Sequence, residues 1–136
     1  MPGQIKLEIY TPSRQVLNTR TEYVALPCES GELGVMYNHR PMIVGLTIGV
    51  LRYGVPNGPQ ENVFVSGGFA EVRDNQVTVL ADVSELAEEI DAARAMEARD
   101  QAERRLRQSL SANDLVRSEL ALKRALTRLK IVKKLH

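Results

Sequence analysis

Apolar and polar residues alternate with a period of two through the first part of the chain, then change to a helical period. Ile5, Leu7 and Ile9 are interleaved with Lys6, Glu8 and Tyr10, the pattern of a strand with one buried face. Thr11-Pro12-Ser13 predicts a turn, and Gln15-Val16-Leu17 starts the returning strand. Tyr23–Leu26 predicts another short strand, stopped by Pro27, and Ser30-Gly31-Glu32-Leu33-Gly34 reads as a turn with two glycines. Ile48, Val50 and the Arg52/Tyr53 pair alternate up to Gly54, Val55–Pro59 reads as a hairpin tip, and Asn62–Ser66 answers it. Phe69–Arg73 and Gln76–Ala81 predict a last hairpin around Asp74-Asn75, with Val77 and Val79 on one face and Thr78 and Leu80 on the other. Gly67-Gly68 is followed by a strand and not a helix, so it reads as a tight bend or bulge, not a phosphate loop. About ten strands this short and this regularly spaced predict a sandwich or barrel.

All nine glycines precede residue 69 and all six prolines precede residue 60. Beyond Ala81 the apolar spacing is that of helices. Ser84 is the expected N-cap, with Glu85, Glu88 and Glu89 suited to the positive helix start. Ala87, Asp91, Ala95, Ala98, Ala102, Leu106 and Leu110 form one stripe. Ser111–Asp114 interrupts it, and a second helix is expected over Leu115–Lys134, with Ser118, Ala121, Leu122, Ala125, Leu129 and Val132 on one face. The fold class is thus β plus α: an N-terminal β-sandwich over residues 1–85, then a C-terminal antiparallel two-helix hairpin over 86–136. Two stripes this thin bury too little to hold a hairpin firmly alone, so it should lean on another surface or a ligand. Marginal stability of this kind suits a switch.

Charge sharpens the division. The net +1 of the 136 residues conceals six basic against nine acidic groups up to residue 85, and seven basic against two acidic after Leu110. A mildly acidic body with a basic end calls for an acidic partner. With no Trp, two Phe and four Tyr, an aromatic platform for nucleic-acid bases is poorly supplied. The basic helix alone still leaves a nucleic-acid-binding protein as the alternative class. The longest uncharged apolar run, Pro41–Leu51, falls well short of the roughly 20 residues a membrane helix needs. Cys28 is the only cysteine, which excludes an intrachain disulfide and fits a reducing, cytoplasmic compartment; its simplest role is a small apolar residue. His39 and His136 are the only histidines, so neither a Ser/His/Asp set nor a metal cluster is expected, and the chain does not read as an enzyme.

Two stretches are distinctive: Glu29-Ser30-Gly31-Glu32-Leu33-Gly34-Val35 followed by His39-Arg40-Pro41, and Val65-Ser66-Gly67-Gly68-Phe69-Ala70-Glu71-Val72 followed by Val77–Asp82. Together they resemble the epsilon subunit of the bacterial F-type ATP synthase, and the resemblance runs the whole length. It implies a non-catalytic, single-copy subunit of the central stalk in a proton- or sodium-translocating synthase, peripheral to the cytoplasmic face of the bacterial cell membrane. It implies a sandwich touching the gamma subunit and the membrane rotor (c) ring, with Glu32 and His39 on the ring side. It further implies a hairpin that folds down or extends toward the catalytic beta and alpha subunits. In the extended form the basic residues Lys123, Arg124, Arg128, Lys130, Lys133 and Lys134 would inhibit ATP hydrolysis. No metal, nucleic acid or obligatory cofactor is implied.

Ile90-Asp91-Ala92-Ala93-Arg94-Ala95 matches the Ile/Leu-Asp-x-x-Arg-Ala motif of family members that bind ATP in the folded hairpin. The resemblance makes ATP a regulatory ligand and Glu85, Ile90, Asp91, Arg94, Ala95, Arg124 and Arg128 its site. The chemistry suits this. Guanidinium groups fit phosphate oxygens, a carboxylate accepts from the adenine amino group, and Ile90 and Ala95 offer apolar contact. Gln101 departs from the arginine of tight-binding relatives, which implies weaker affinity. Asp91 and Arg94, three apart, equally fit an ordinary ion pair on a helix surface. Arg124 and Arg128 equally fit a solvated face.

Overall fold

The computed structural model describes residues 3–108 and 111–135. The chain divides into two compact units, Met1–Leu86 and Ala87–His136.

The first unit contains ten strands: β1 (Ile5–Tyr10), β2 (Gln15–Thr21), β3 (Tyr23–Cys28), β4 (Gly31–Val35), β5 (Met42–Gly45), β6 (Gly49–Gly54), β7 (Gln60–Ser66), β8 (Phe69–Arg73), β9 (Gln76–Leu80) and β10 (Val83–Leu86). They form two five-stranded sheets, ordered β2-β1-β9-β8-β5 and β10-β7-β6-β3-β4. Every pairing is antiparallel except β1 with β9, where Leu7 lies beside Val77 and Ile9 beside Val79. The core between the sheets is aliphatic: Ile5, Leu7, Ile9, Val24, Leu26, Val35, Leu51, Val63, Val65, Val72, Val77 and Val79 are all buried. Burying such a side chain contributes roughly 1.5–3 kcal/mol, so this unit carries its own stability. The β1, β8 and β9 alternation follows the sequence pattern, whereas β3 and β7 hold four successive buried residues each. Gly67 and Gly68 turn the chain between β7 and β8 at φ of 71° and 91°. A Cβ on Gly68 would lie 2.0 Å from the Leu80 carbonyl oxygen, so only glycine fits this bend.

Three expectations are corrected. Gly31–Gly34 is not a turn but most of β4, because Glu29-Ser30 alone makes the two-residue connection and Cys28 pairs with Gly31. Ser84 is not a helix cap: it lies in β10, buried, and its hydroxyl donates to the Phe64 carbonyl at 2.8 Å. The second helix starts at Ala112, three residues early, because Ser111 Oγ accepts the Asp114 N–H at 3.1 Å and caps it.

The second unit opens with a single 3-10 turn, Ala87–Glu89, followed by α1 (Ala92–Gln108) and α2 (Ala112–Leu135). The short connection makes the helices antiparallel neighbours, and the end of α2 reaches back to the 3-10 turn. Their buried positions are small: Ala95 and Ala102 on α1, Ser118 and Ala125 on α2, with Ile131 beyond them. Ala102 and Ser118, and likewise Ala95 and Ala125, stand at matching distances from the turn. Small side chains at these levels let the helices approach closely. A methyl-sized group contributes on the order of 0.8 kcal/mol, so the seam is weakly held beside the sandwich core. Asp91 and Ala98 are exposed, outside the buried stripe, and Leu110 lies outside the described residues.

Candidate functional site

The expected nucleotide residues fall on both units. Glu85 lies in β10 opposite Phe64, half-buried. The others belong to the hairpin. Ile90 is half-buried between the 3-10 turn and α1, and its N–H donates to the Ala87 carbonyl at 3.3 Å. Asp91 precedes the first residue of α1 and is its N-cap: Oδ1 accepts the Arg94 backbone N–H at 3.1 Å. Its own carbonyl accepts the Ala95 N–H at 3.0 Å. The spacing that suggested a side-chain ion pair is therefore that of a capping bond, and it leaves the exposed Arg94 guanidinium to other partners. Ala95 is buried in the seam. Arg124 and Arg128 on α2 are half-buried, at the levels of Met96 and Ala92 counted from the turn. The antiparallel hairpin thus brings three arginines and the capped start of α1 to one end. Gln101 is exposed on α1. A separate cleft of about 340 Å³ at the turn end is lined by Arg105, Gln108, Asp114, Arg117 and Ser118, none of them in the expected set.

The basic residues of α2 carry an apolar companion. Lys123, Lys130, Lys133 and Lys134 are exposed. Glu119, Leu122, Lys123, Leu126, Thr127 and Lys130 line an open groove of about 310 Å³. Leu115, Val116, Leu120 and Leu126 are also exposed. Leu122 belongs to the sequence stripe, whereas Leu115, Val116, Leu120 and Leu126 fall outside it.

On the sandwich, Glu32 is on β4 and not in a turn. It takes a forked contact from Arg52 of β6, with Nη2 at 2.6 Å and Nε at 3.2 Å. Arg52 Nη1 donates to Gln60 Oε1 at 2.7 Å. His39 lies in the β4–β5 loop. Its N–H donates to the Met36 carbonyl at 3.1 Å, and its Nδ1 is 2.7 Å from the Arg40 carbonyl oxygen. A carbonyl only accepts, so Nδ1 carries a proton.

The outward face of the first sheet was not foreseen. Ile43, Phe69 and Leu80 are 68%, 46% and 42% exposed there, Phe69 directly opposite Leu80. Beside them Glu8 accepts from Tyr10, from Gln76 at 2.8 Å and from Gln15 at 3.3 Å, with Lys6 at 3.6 Å. The Tyr10 hydroxyl holds the Glu8 carboxyl below its usual range, with Lys6 assisting against burial. The same bond raises the Tyr10 phenol. Burial pushes the Cys28 thiol up, so it stays protonated. Among the described residues no group of three His, Cys, Asp or Glu side chains could hold a metal. No described helix is long and apolar enough to cross a membrane.

Two family descriptions divide the chain between them. Residues 4–87 match "ATP synthase, Delta/Epsilon chain, beta-sandwich domain", and residues 88–133 match "ATP synthase, Delta/Epsilon chain, long alpha-helix domain". The chain belongs to the ATP synthase delta/epsilon family. Among its relatives, the ATP synthase epsilon chain of Nitratidesulfovibrio vulgaris strain DP4 is 48% identical over 131 residues, covering 96% of this chain and 97% of that one. The epsilon chain of Desulfitobacterium hafniense strain Y51 is 46% identical over 129 residues, covering 95% and 96%. A chain in the Euglena gracilis mitochondrial ATP synthase structure of OSCP, F1 and c-ring superimposes with a TM-score of 0.80 at 26% identity, over 100% of this chain and 84% of that one. An epsilon chain is a stalk subunit of the synthase and is not itself catalytic.

Proposed function

We propose that this epsilon chain couples the catalytic head to the membrane rotor ring of a proton- or sodium-translocating synthase, and that its hairpin restrains ATP hydrolysis. The subunit acts as one copy per complex, peripheral to the cytoplasmic face of the bacterial membrane. The sandwich docks the gamma subunit, a reading supported by the exposed Ile43, Phe69 and Leu80 on one rigid sheet face. Glu32 and His39 serve the ring contact. Arg52 fixes the Glu32 carboxylate, so that contact uses a pre-set charge pair.

The observation that carries the inhibitory reading is the α2 groove, where Leu122 and Leu126 run between Lys123 and Lys130. Apolar contact flanked by cations suits an acidic protein surface on the beta and alpha subunits, and suits a nucleic-acid backbone less well. Replacing Lys123, Arg124, Arg128 and Lys130 with Ala is expected to raise ATP hydrolysis by the assembled head several-fold. Hydrolysis unchanged across a range of salt concentrations would sink this reading.

ATP acts as a regulatory ligand of the folded hairpin, with Arg94, Arg124 and Arg128 toward its phosphates and the remaining Asp91 oxygen and Ile90 toward its base. The weak alanine seam supports this, because a ligand that bridges both helices stabilises them by mass action. Calorimetric titration of the full chain tests it: Arg94→Ala should weaken binding and Gln101→Arg should tighten it. No heat at millimolar ATP would leave the motif as a helix start.

A further inference from the structure

The loop that carries His39 is tied down from a distance. Asp74 and Asn75 form the two-residue turn between β8 and β9, with left-handed φ of 52° and 58° and Arg73 paired to Gln76 on either side. Both signs belong to a type I′ turn, which Asp and Asn adopt readily. That turn does more than reverse the chain. The Asn75 carbonyl accepts the Lys6 N–H at 3.0 Å, anchoring the start of β1. The Asn75 side chain reaches the β4–β5 loop, where Oδ1 accepts the Asn38 N–H at 2.6 Å. The donor is a backbone N–H, so the amide must present its oxygen there. Asn38 itself has φ of 65°, and the next residue closes a turn onto Met36. The loop is otherwise exposed, with Met36, Tyr37, Asn38 and Arg40 open to solvent. Asn tolerates the left-handed region, so the Asn75 bond fixes the place of a turn that the loop adopts readily.

We propose that Asn75 is the positioning residue of the His39 loop: its amide oxygen clamps Asn38 and so sets where His39 meets the neighbouring stalk subunits. This rests on the reading that the loop makes a stalk contact, and it adds a residue from another hairpin. The clamp joins three segments at one point, β1, the β8–β9 turn and the β4–β5 loop. The loop is thereby referenced to the sheet, as a contact that transmits torque requires.

Asn75→Gly is the decisive variant. Glycine accepts the positive φ, and Asp followed by glycine is a favoured pair for this turn, so the fold is kept while the oxygen is removed. Asn75→Asp keeps both the conformation and an acceptor. Hydrogen exchange at the Asn38 N–H reads the clamp in the full chain. Cross-linking from His39→Cys to gamma or the ring reads the loop's placement in the assembled synthase. With Asn75→Gly, Asn38 should exchange on the order of fivefold to tenfold faster, and the cross-link yield should fall several-fold. Asn75→Asp should keep both near the parent values, with thermal unfolding unchanged in either variant. Unchanged Asn38 exchange in Asn75→Gly overturns the clamp. Faster exchange with undiminished cross-linking overturns the positioning role. If His39→Cys cross-links to nothing while Asn75 is intact, the stalk reading of the loop fails first, and the proposal with it.

Discussion

Asp91 is the position at which capping and nucleotide binding can be told apart. Its Oδ1 satisfies one of the orphan N–H groups at the start of α1. Replacing an Asp cap with Ala costs about 1 kcal/mol, whereas Asn caps nearly as well. The loss falls on a seam whose buried positions on α1 are only Ala95 and Ala102. About 1 kcal/mol corresponds to roughly a fivefold increase in the open population of the helix start. Asp91→Ala should therefore speed amide exchange in the first turns of α1 about fivefold without any ATP, and Asp91→Asn should not. Asp91→Asn removes the charge that would meet the adenine amino group, so it should weaken ATP binding while leaving exchange in the free chain alone. Saturating ATP at about 100 times its dissociation constant adds roughly 2.7 kcal/mol and should mask the Ala defect wherever the variant still binds. The assay is hydrogen exchange on the full chain beside calorimetry for the three proteins. Equal exchange in Asp91→Ala and the parent, or an Asn variant as open as the Ala variant, would refute the capping argument.

Gly68→Ala should lower the unfolding temperature by on the order of 10 °C, because its Cβ would meet the Leu80 carbonyl at 2.0 Å and the backbone is left-handed; an unchanged transition would contradict this. Glu8 has a folded pKa below its ordinary 4.5, so its stabilising contribution is complete above that value and is lost as pH falls through the folded one. Tyr10 is raised above 10.0, so its contribution is present below pH 10 and is lost as pH rises through the folded value. Glu8→Gln should flatten the acid limb of stability against pH, and an acid limb identical to the parent's would speak against the network. Ile43→Asp with Phe69→Asp should abolish gamma binding in a pull-down while thermal unfolding stays near the parent, and intact binding would move the gamma surface elsewhere.

Much of the architecture was legible because period and punctuation change together near residue 81. Strands with one buried face, such as Ile5–Tyr10 and Gln76–Leu80, declared themselves by alternation. β3 and β7 did so less clearly, since burial on both faces erases the period of two. Gly31 and Gly34 suggested a turn, but the hairpin needed only Glu29-Ser30, and Gly34 lies in β4, where a Cβ would come within 3.0 Å of the Tyr23 ring. Ser84 and Ser111 carry the same capping signal, and only their surroundings decide which is used. A hydroxyl facing the Phe64 carbonyl satisfies a strand, and one facing the Asp114 N–H starts a helix. The Glu32–Arg52 pair and the Asn75 clamp join residues 20 and 37 positions apart, and no local pattern announces such contacts.

The most direct test of the central claim separates the two units. A chain ending at Leu86 keeps all ten strands and the aliphatic core. Added to a synthase lacking its epsilon chain, the shortened protein and the full chain should both bind the stalk and restore coupling between hydrolysis and ion transport. Only the full chain should also suppress ATP hydrolysis, and ATP should relieve that suppression. Equal suppression by the two proteins, or a shortened chain that folds but fails to bind the stalk, would contradict the account.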